Sequence, residues 1–95
     1  MAVYVDDMYK YEVGNFGRMK MSHMIADSKK ELLDMAKTIG VQTKWIQYEG
    51  TPREHFDICL SKRVKAVKAG AKEISWRELG DMILERRKKL NVKKK

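Results

Sequence analysis

With 95 residues, a single cysteine and a formal net charge of +8, the chain is expected to form one domain, and it excludes an intramolecular disulfide framework and a cysteine-only zinc site. No apolar run approaches the ~20 residues that cross a bilayer and no signal peptide opens the sequence, so a cytoplasmic domain without membrane contact is expected, with Cys59 a small buried hydrophobe. The positive charge is uneven: residues 85–95, ERRKKLNVKKK, carry +6 of it and residues 1–84 only +2.

The first element is VYV at 3–5, an alternating strand that stops at two adjacent carboxylates, Asp6 and Asp7. Tyr9 to Arg18, with Gly14 and Gly17, reads as a mobile loop. MSHMIA at 21–26 is the second strand candidate. In DSKKELLDMAKTIG, Ser28 and Glu31 form a capping box that opens a helix, Leu32, Ala36 and Ile39 make its buried stripe, and Gly40 ends it. KWIQY at 44–48 reads as a third strand, followed by a short turn opened by Thr51, Pro52 and Glu54. FDICL at 56–60 is a fourth strand, SKRVKAVKAG a helix capped by Ser61 and closed by Gly70, and AKEIS a further short strand. The last helix opens with a Ser75/Glu78 box and places Trp76, Leu79, Ile83 and Leu90 near one face, with Gly80 weakening it slightly. Alternating strands and helices predict a small α/β domain with a single sheet of about four to five short strands, partly parallel, and three helices. Residues 1–84 form that domain, and 85–95 a basic helix end and flexible tail.

In an open parallel sheet, ligands bind beyond the carboxyl ends of the strands. With parallel strands, that rule gathers Asp6, Asp7, Asp27, Glu49, Ser61, Lys62 and Arg63 at one edge. Asp6 and Asp7 are candidate ligands for a divalent cation such as Mg²⁺, with phosphate completing its shell. Lys62 and Arg63 stand in the first turn of a helix, where cations oppose the dipole; a bound anion would rationalise them, with Arg18 a further candidate anion ligand. In HFDICLSKR, alternation puts His55, Asp57 and Cys59 on one strand face, and His23 joins them if its strand is a neighbour. A His-x-Asp pair holds an imidazole in one tautomer or offers two metal ligands, which makes His55, Asp57 and His23 the candidate catalytic residues; the competing reading is a set of hydrogen-bonded structural histidines. Arg86, Arg87, Lys88, Lys89, Lys93, Lys94 and Lys95 either bind nucleic acid by counterion release or solubilise a helix end. The chain has no phosphate-binding loop of the Gly-x-x-x-x-Gly-Lys type and no nucleophile elbow.

VYVDDM, GRM with SHMIAD, W-x-Q, HFD, KR with AGA, and SWRELG, in that order, resemble the uncharacterised bacterial and phage domain-of-unknown-function family 4031. The resemblance runs from the start to the neighbourhood of Asp81, while YKYEVGNF and the lysine-rich end are particular to this chain. It implies a shared fold and marks Asp6, Asp7, Arg18, His23, Asp27, His55, Asp57, Lys62 and Arg63 as a polar signature without naming a reaction. More distantly, an apolar strand ending in Asp and an A-x-x-x-G-A step resemble PIN-like metal-dependent nuclease domains, whose four carboxylates are not all matched. The sequence therefore favours a domain that binds a phosphorylated ligand, nucleotide or nucleic acid, at the strand-end edge. The alternatives are a metal-dependent phosphoesterase or nuclease, and a phage-type accessory protein acting on a protein partner.

Overall fold

The computed structural model describes residues 2–93, without the side chains of residues 91–93. Lys94, Lys95 and the Lys93 side chain of the basic tail therefore lie outside the described residues. The strands are β1 (Val3–Val5), β2 (Asn15–Phe16), β3 (Met19–Ala26), β4 (Phe56–Cys59) and β5 (Lys72–Glu73). The helices are α1 (Lys29–Ile39), α2 (Leu60–Lys68) and α3 (Trp76–Lys93). This is a small α/β domain with one mixed sheet of five strands, as the alternation predicted.

The long strand β3 organises the sheet, running antiparallel to β1, β2 and β4; the parallel pair is β1 with β5. That antiparallel direction corrects the single polar edge expected above. Asp27 follows β3 but sits at the opposite end from Asp6, where its amide donates to the Ala2 carbonyl at 2.9 Å. The segment 44–48 is not a strand: Thr43–Trp45 is a 3-10 turn, and the β pairing there is an isolated bridge between Gln47 and His55. The reason is burial. Trp45 is 62% and Tyr48 50% exposed, so only Ile46 packs on the core and no alternating apolar face exists to hold a strand. The 9–18 loop contains two 3-10 turns, Met8–Lys10 and Glu12–Gly14, before β2 turns into β3 through Gly17 and Arg18. Glu49 is not at a strand end either; it pairs with Lys29 at the start of α1.

The capping boxes hold as expected. Ser28 Oγ accepts from the Glu31 amide at 3.2 Å, and Gly40 closes α1 with a left-handed φ of 81°. Ser75 and Glu78 exchange two 3.0 Å bonds at the start of α3. Ser61, however, does not cap α2: β4 runs directly into the helix, Cys59 takes the cap position and Ser61 lies inside the first turn.

Alternation along the strands divides the side chains between two faces. Val3, Val5, Met24, Ala26, Phe56 and Ile58 meet Leu32, Ala36 and Ile39 of α1 and Ala66 of α2, which forms the main core. On the other face, Trp76, Leu79 and Ile83 of α3 lie over His23 and His55. Helix α3 is fastened at both ends of this crossing. Asp7 Oδ1 accepts from the Trp76 amide at 2.7 Å, and Arg86 donates to the Ala26 carbonyl at 2.5 Å. Among the described residues, no helix is long and apolar enough to cross a membrane.

Candidate metal centre

The sheet register brings the histidines and carboxylates into one row. His23 of β3 stands directly opposite Asp57 of β4, and the Asp6 amide extends the β1–β3 ladder by donating to the His23 carbonyl at 3.1 Å. His55 lies two residues before Asp57 and therefore on the same face. His23, His55 and Asp57 each offer one ligand atom, all within 4.8 Å of one another.

Each imidazole is oriented from behind. His23 Nδ1 donates to Asp6 Oδ2 at 2.7 Å, and His55 Nδ1 donates to the Arg53 carbonyl at 2.6 Å, because a carbonyl oxygen only accepts. In their neutral forms both rings then carry their lone pair on Nε2. Those two nitrogens face the same atom, Asp57 Oδ1, at 3.8 Å from His23 and 3.3 Å from His55. Asp57 Oδ1 is shielded from solvent and has no hydrogen-bond partner among the described residues, whereas Oδ2 accepts from Gln47 at 2.6 Å. A buried acceptor facing two lone pairs is unfavourable unless a positive charge joins them. A divalent ion would do so: with bonds of about 2.1 Å, tetrahedral donors stand about 3.4 Å apart, against the 3.3 and 3.8 Å from Asp57 Oδ1 to the two nitrogens, within a set that spans up to 4.8 Å.

Burial pushes His55 down, but the Asp57 carboxylate and the Arg53 carbonyl outweigh it and hold the imidazole above its ordinary value. The His55 partner and the Gln47 bond keep Asp57 below the usual carboxylate range against its own burial. Both directions describe an imidazolium–carboxylate pair in which a proton on His55 Nε2 faces Asp57 Oδ1 in the metal-free protein, and which a metal ion would displace.

Two expected metal ligands are not ligands in this arrangement. Asp6 is fully buried, with Oδ1 accepting the amides of His23 at 2.8 Å and Met8 at 3.2 Å and Oδ2 holding His23. Asp7 is used to cap α3. The two carboxylates diverge because Asp6 still continues the β1–β3 ladder beside His23, whereas Asp7 begins the 3-10 turn Met8–Lys10. The expected anion ligands also separate. Arg63 is 6% exposed, donates to the Asp6 carbonyl and to Glu73, and lies over the Tyr9 ring, so it clamps β1 to β5. Lys62 instead reaches the C-terminal end of α1 beside Gly40, a favourable place for a cation. Arg18 is exposed at the tip of the β2–β3 hairpin, away from Asp6 and Asp7, which are engaged elsewhere.

Two cavities flank the row. The smaller, about 170 Å³, is lined by His23, His55, Arg53 and the α3 residues Trp76, Leu79 and Gly80. The larger, about 780 Å³, is lined by Asp57 and Gln47 together with Met8, Phe16, Met21 and Trp45. The basic end of α3 reaches the loop that carries Arg53: Arg87 and Lys88 share a shallow pocket with Pro52, and Lys89 another with Gly50 and Pro52. Sequence reasoning missed Arg53 and Gln47. Neither was legible: Arg53 lies in the turn before β4, where a strand's alternation does not apply, and the bridge from Gln47 to His55 closes a loop rather than a strand.

A family model described as "Protein of unknown function (DUF4031)" matches residues 3–86. No curated protein and no solved structure matches the chain.

Proposed function

The chain belongs to the DUF4031 family, so we propose its function from the site itself: a metal-dependent phosphoesterase acting on nucleic acid or a nucleotide, built on His23, His55 and Asp57. One observation carries the reading, the buried and unpartnered Asp57 Oδ1 facing two imidazole nitrogens whose opposite edges are already pinned. Holding ligating histidines by a carboxylate or carbonyl from behind is how metal sites fix tautomer and orientation. Two nitrogens and one carboxylate oxygen favour a borderline transition ion, such as Zn²⁺, Mn²⁺, Co²⁺ or Fe²⁺, over the Mg²⁺ that Asp6 and Asp7 suggested. Such an ion supplies Lewis acidity and lowers the pKa of a bound water.

Three protein donors leave coordination positions for water and substrate, as catalytic sites require and closed structural sites do not. Basic residues from α3 adjoin Gly50 and Pro52 of the loop that carries Arg53, which favours a phosphate-bearing polyanion, and exposed Phe16 and Trp45 beside the larger cavity suit a nucleobase. A domain that only binds a phosphorylated ligand through Lys62 and Arg63 is less well supported, because those side chains diverge and Arg63 is already engaged.

The test is a Co²⁺ titration followed by visible absorption, with hydrolysis of a chromogenic phosphodiester measured in parallel. Stoichiometric binding that is lost in His23→Ala and Asp57→Ala, together with metal-dependent turnover, supports the reading. Equal Co²⁺ binding by wild type and both variants refutes it.

A further inference from the structure

We propose that Arg53, held on the ring of Tyr48, is the oxyanion-binding arm of the small cavity, so that the group received beside His23 and His55 is a phosphoryl oxyanion. The inference rests on the metal-centre reading and adds the residue that selects the substrate's charged group.

Arg53 lines the same cavity as the two histidines. Its side chain is exposed, and its guanidinium has no carboxylate partner among the described residues. This sets it apart from Arg63, whose guanidinium is taken by Glu73, and from Arg86, which is bonded to the Ala26 carbonyl. Instead, the guanidinium carbon lies 4.3 Å from the centroid of the Tyr48 ring, and that ring stacks on His55 at 5.9 Å with a 23° interplanar angle. Arginine, tyrosine and a candidate metal ligand thus form one stack. A planar guanidinium resting on an aromatic face keeps its N–H edge free for two parallel bonds to phosphate oxygens.

The backbone is shaped to make that stack. Tyr48 has a φ of 53°, the one non-glycine residue with positive φ among those described. Left-handed backbone is unfavourable for a bulky aromatic residue, and such outliers persist only where the surroundings over-determine them. Here they do: the Tyr48 carbonyl accepts from the Thr51 amide and hydroxyl at 3.1 and 2.7 Å, and the Gly50 amide donates to Glu54 at 2.9 Å. Gln47 and His55 close the loop with a pair of backbone bonds of 2.9 and 3.1 Å. These tethers together place one ring under one arginine.

Charge and size then choose the ligand. The unpaired cation and an ion held by His23, His55 and Asp57 would both be positive across one cavity, a combination that an oxyanion relieves and a neutral or cationic group does not. At about 170 Å³ the cavity falls below the ~300 Å³ from which pockets enclose a drug-sized ligand, so it fits a phosphoryl group rather than a whole nucleotide. The remainder of a larger substrate extends outside it.

Binding of inorganic phosphate and of a short single-stranded DNA to wild type, Arg53→Ala and Arg53→Lys tests this, by calorimetry with and without saturating Co²⁺. The Ala variant is expected to bind phosphate about 10- to 100-fold more weakly, the scale of a charged hydrogen-bond pair, and the Lys variant to fall between. The Co²⁺ absorption should be the same in all three, since Arg53 is not a ligand. Arg53 dependence for both probes, with the oligonucleotide tighter, identifies nucleic acid as the source of the phosphoryl group; dependence for inorganic phosphate alone identifies a small phosphate. Phosphate affinity in Arg53→Ala within about twofold of wild type overturns the proposal while leaving the metal reading intact. If wild type fails to bind Co²⁺, the metal reading falls, and the cobalt-free phosphate titration still decides the role of Arg53.

Discussion

Replacing Asp6 by asparagine changes the charge and almost nothing of the shape. The asparagine side chain keeps an oxygen where Asp6 Oδ1 accepts the amides of His23 and Met8, so the end of β1 stays tied to β3. At the Oδ2 position it presents an N–H group 2.7 Å from His23 Nδ1, and two donors cannot face each other. The imidazole must then move its proton to Nε2, which blocks the nitrogen that faces Asp57 Oδ1. Loss of such a supporting partner lowers metal affinity about 10- to 100-fold, or about 1.4–2.8 kcal/mol. The effect on folding should be smaller. A charge-assisted hydrogen bond worth about 1.5–3 kcal/mol is lost, but so is the desolvation of a fully buried carboxylate. Co²⁺ titration of the Asp6→Asn variant measures the affinity, and ¹⁵N chemical shifts of the His23 ring nitrogens report the tautomer in the metal-free protein. An Nε2–H tautomer with unchanged Co²⁺ affinity would show that His23 is not a ligand. An unchanged tautomer would show that Asp6 does not set it.

His55 is held above the ordinary imidazole value of 6.5, so its contribution to metal-free stability is complete below that value and is lost as pH rises through the raised one. Asp57 is held below the ordinary carboxylate value of 3.8, so its contribution is present above that value and lost on acidification. Metal-free thermal unfolding should therefore show the pair most stabilising between these values, whereas saturating Zn²⁺ should stabilise more as pH rises through the imidazole range; parallel profiles with and without metal would contradict this. Gly14→Ala should cost about 1–3 kcal/mol in chemical denaturation, since a Cβ there would sit 2.4 Å from the Met8 carbonyl oxygen and 2.9 Å from that of Met21; unchanged stability would mean the hairpin shifts freely. Deleting residues 87–95 keeps the Arg86 bond to Ala26 and should leave the fold intact, while the salt dependence of single-stranded DNA binding falls by ~0.7 in slope for each phosphate contact removed; an unchanged slope would exclude the basic end from the interface.

The local signals in the sequence determined what local physics controls. Ser28 with Glu31, Ser75 with Glu78, and Gly40 specify helix boundaries through bonds made within four residues, and those boundaries appear where the sequence puts them. Alternation likewise placed His55 and Asp57 on one face of the β4 segment, because a strand's period of two is a property of its own backbone. The same reasoning failed where neighbours decide. KWIQY has strand composition but no paired face to bury, so it became a turn and a single bridge. The direction of β3 is not encoded in β3 itself; pairing antiparallel to β1 sent Asp27 to the far end and set His23 between Asp6 and Asp57. Asp6 and Asp7 looked equivalent as adjacent carboxylates, yet one became the buried support of His23 and the other the cap of α3. Which residue binds, which orients and which merely fastens depends on partners 17 to 69 positions away in sequence. Only the assembled sheet brings those partners within hydrogen-bonding range, and for that reason the tertiary structure, not the chain pattern, selected His23, His55 and Asp57 as the candidate centre.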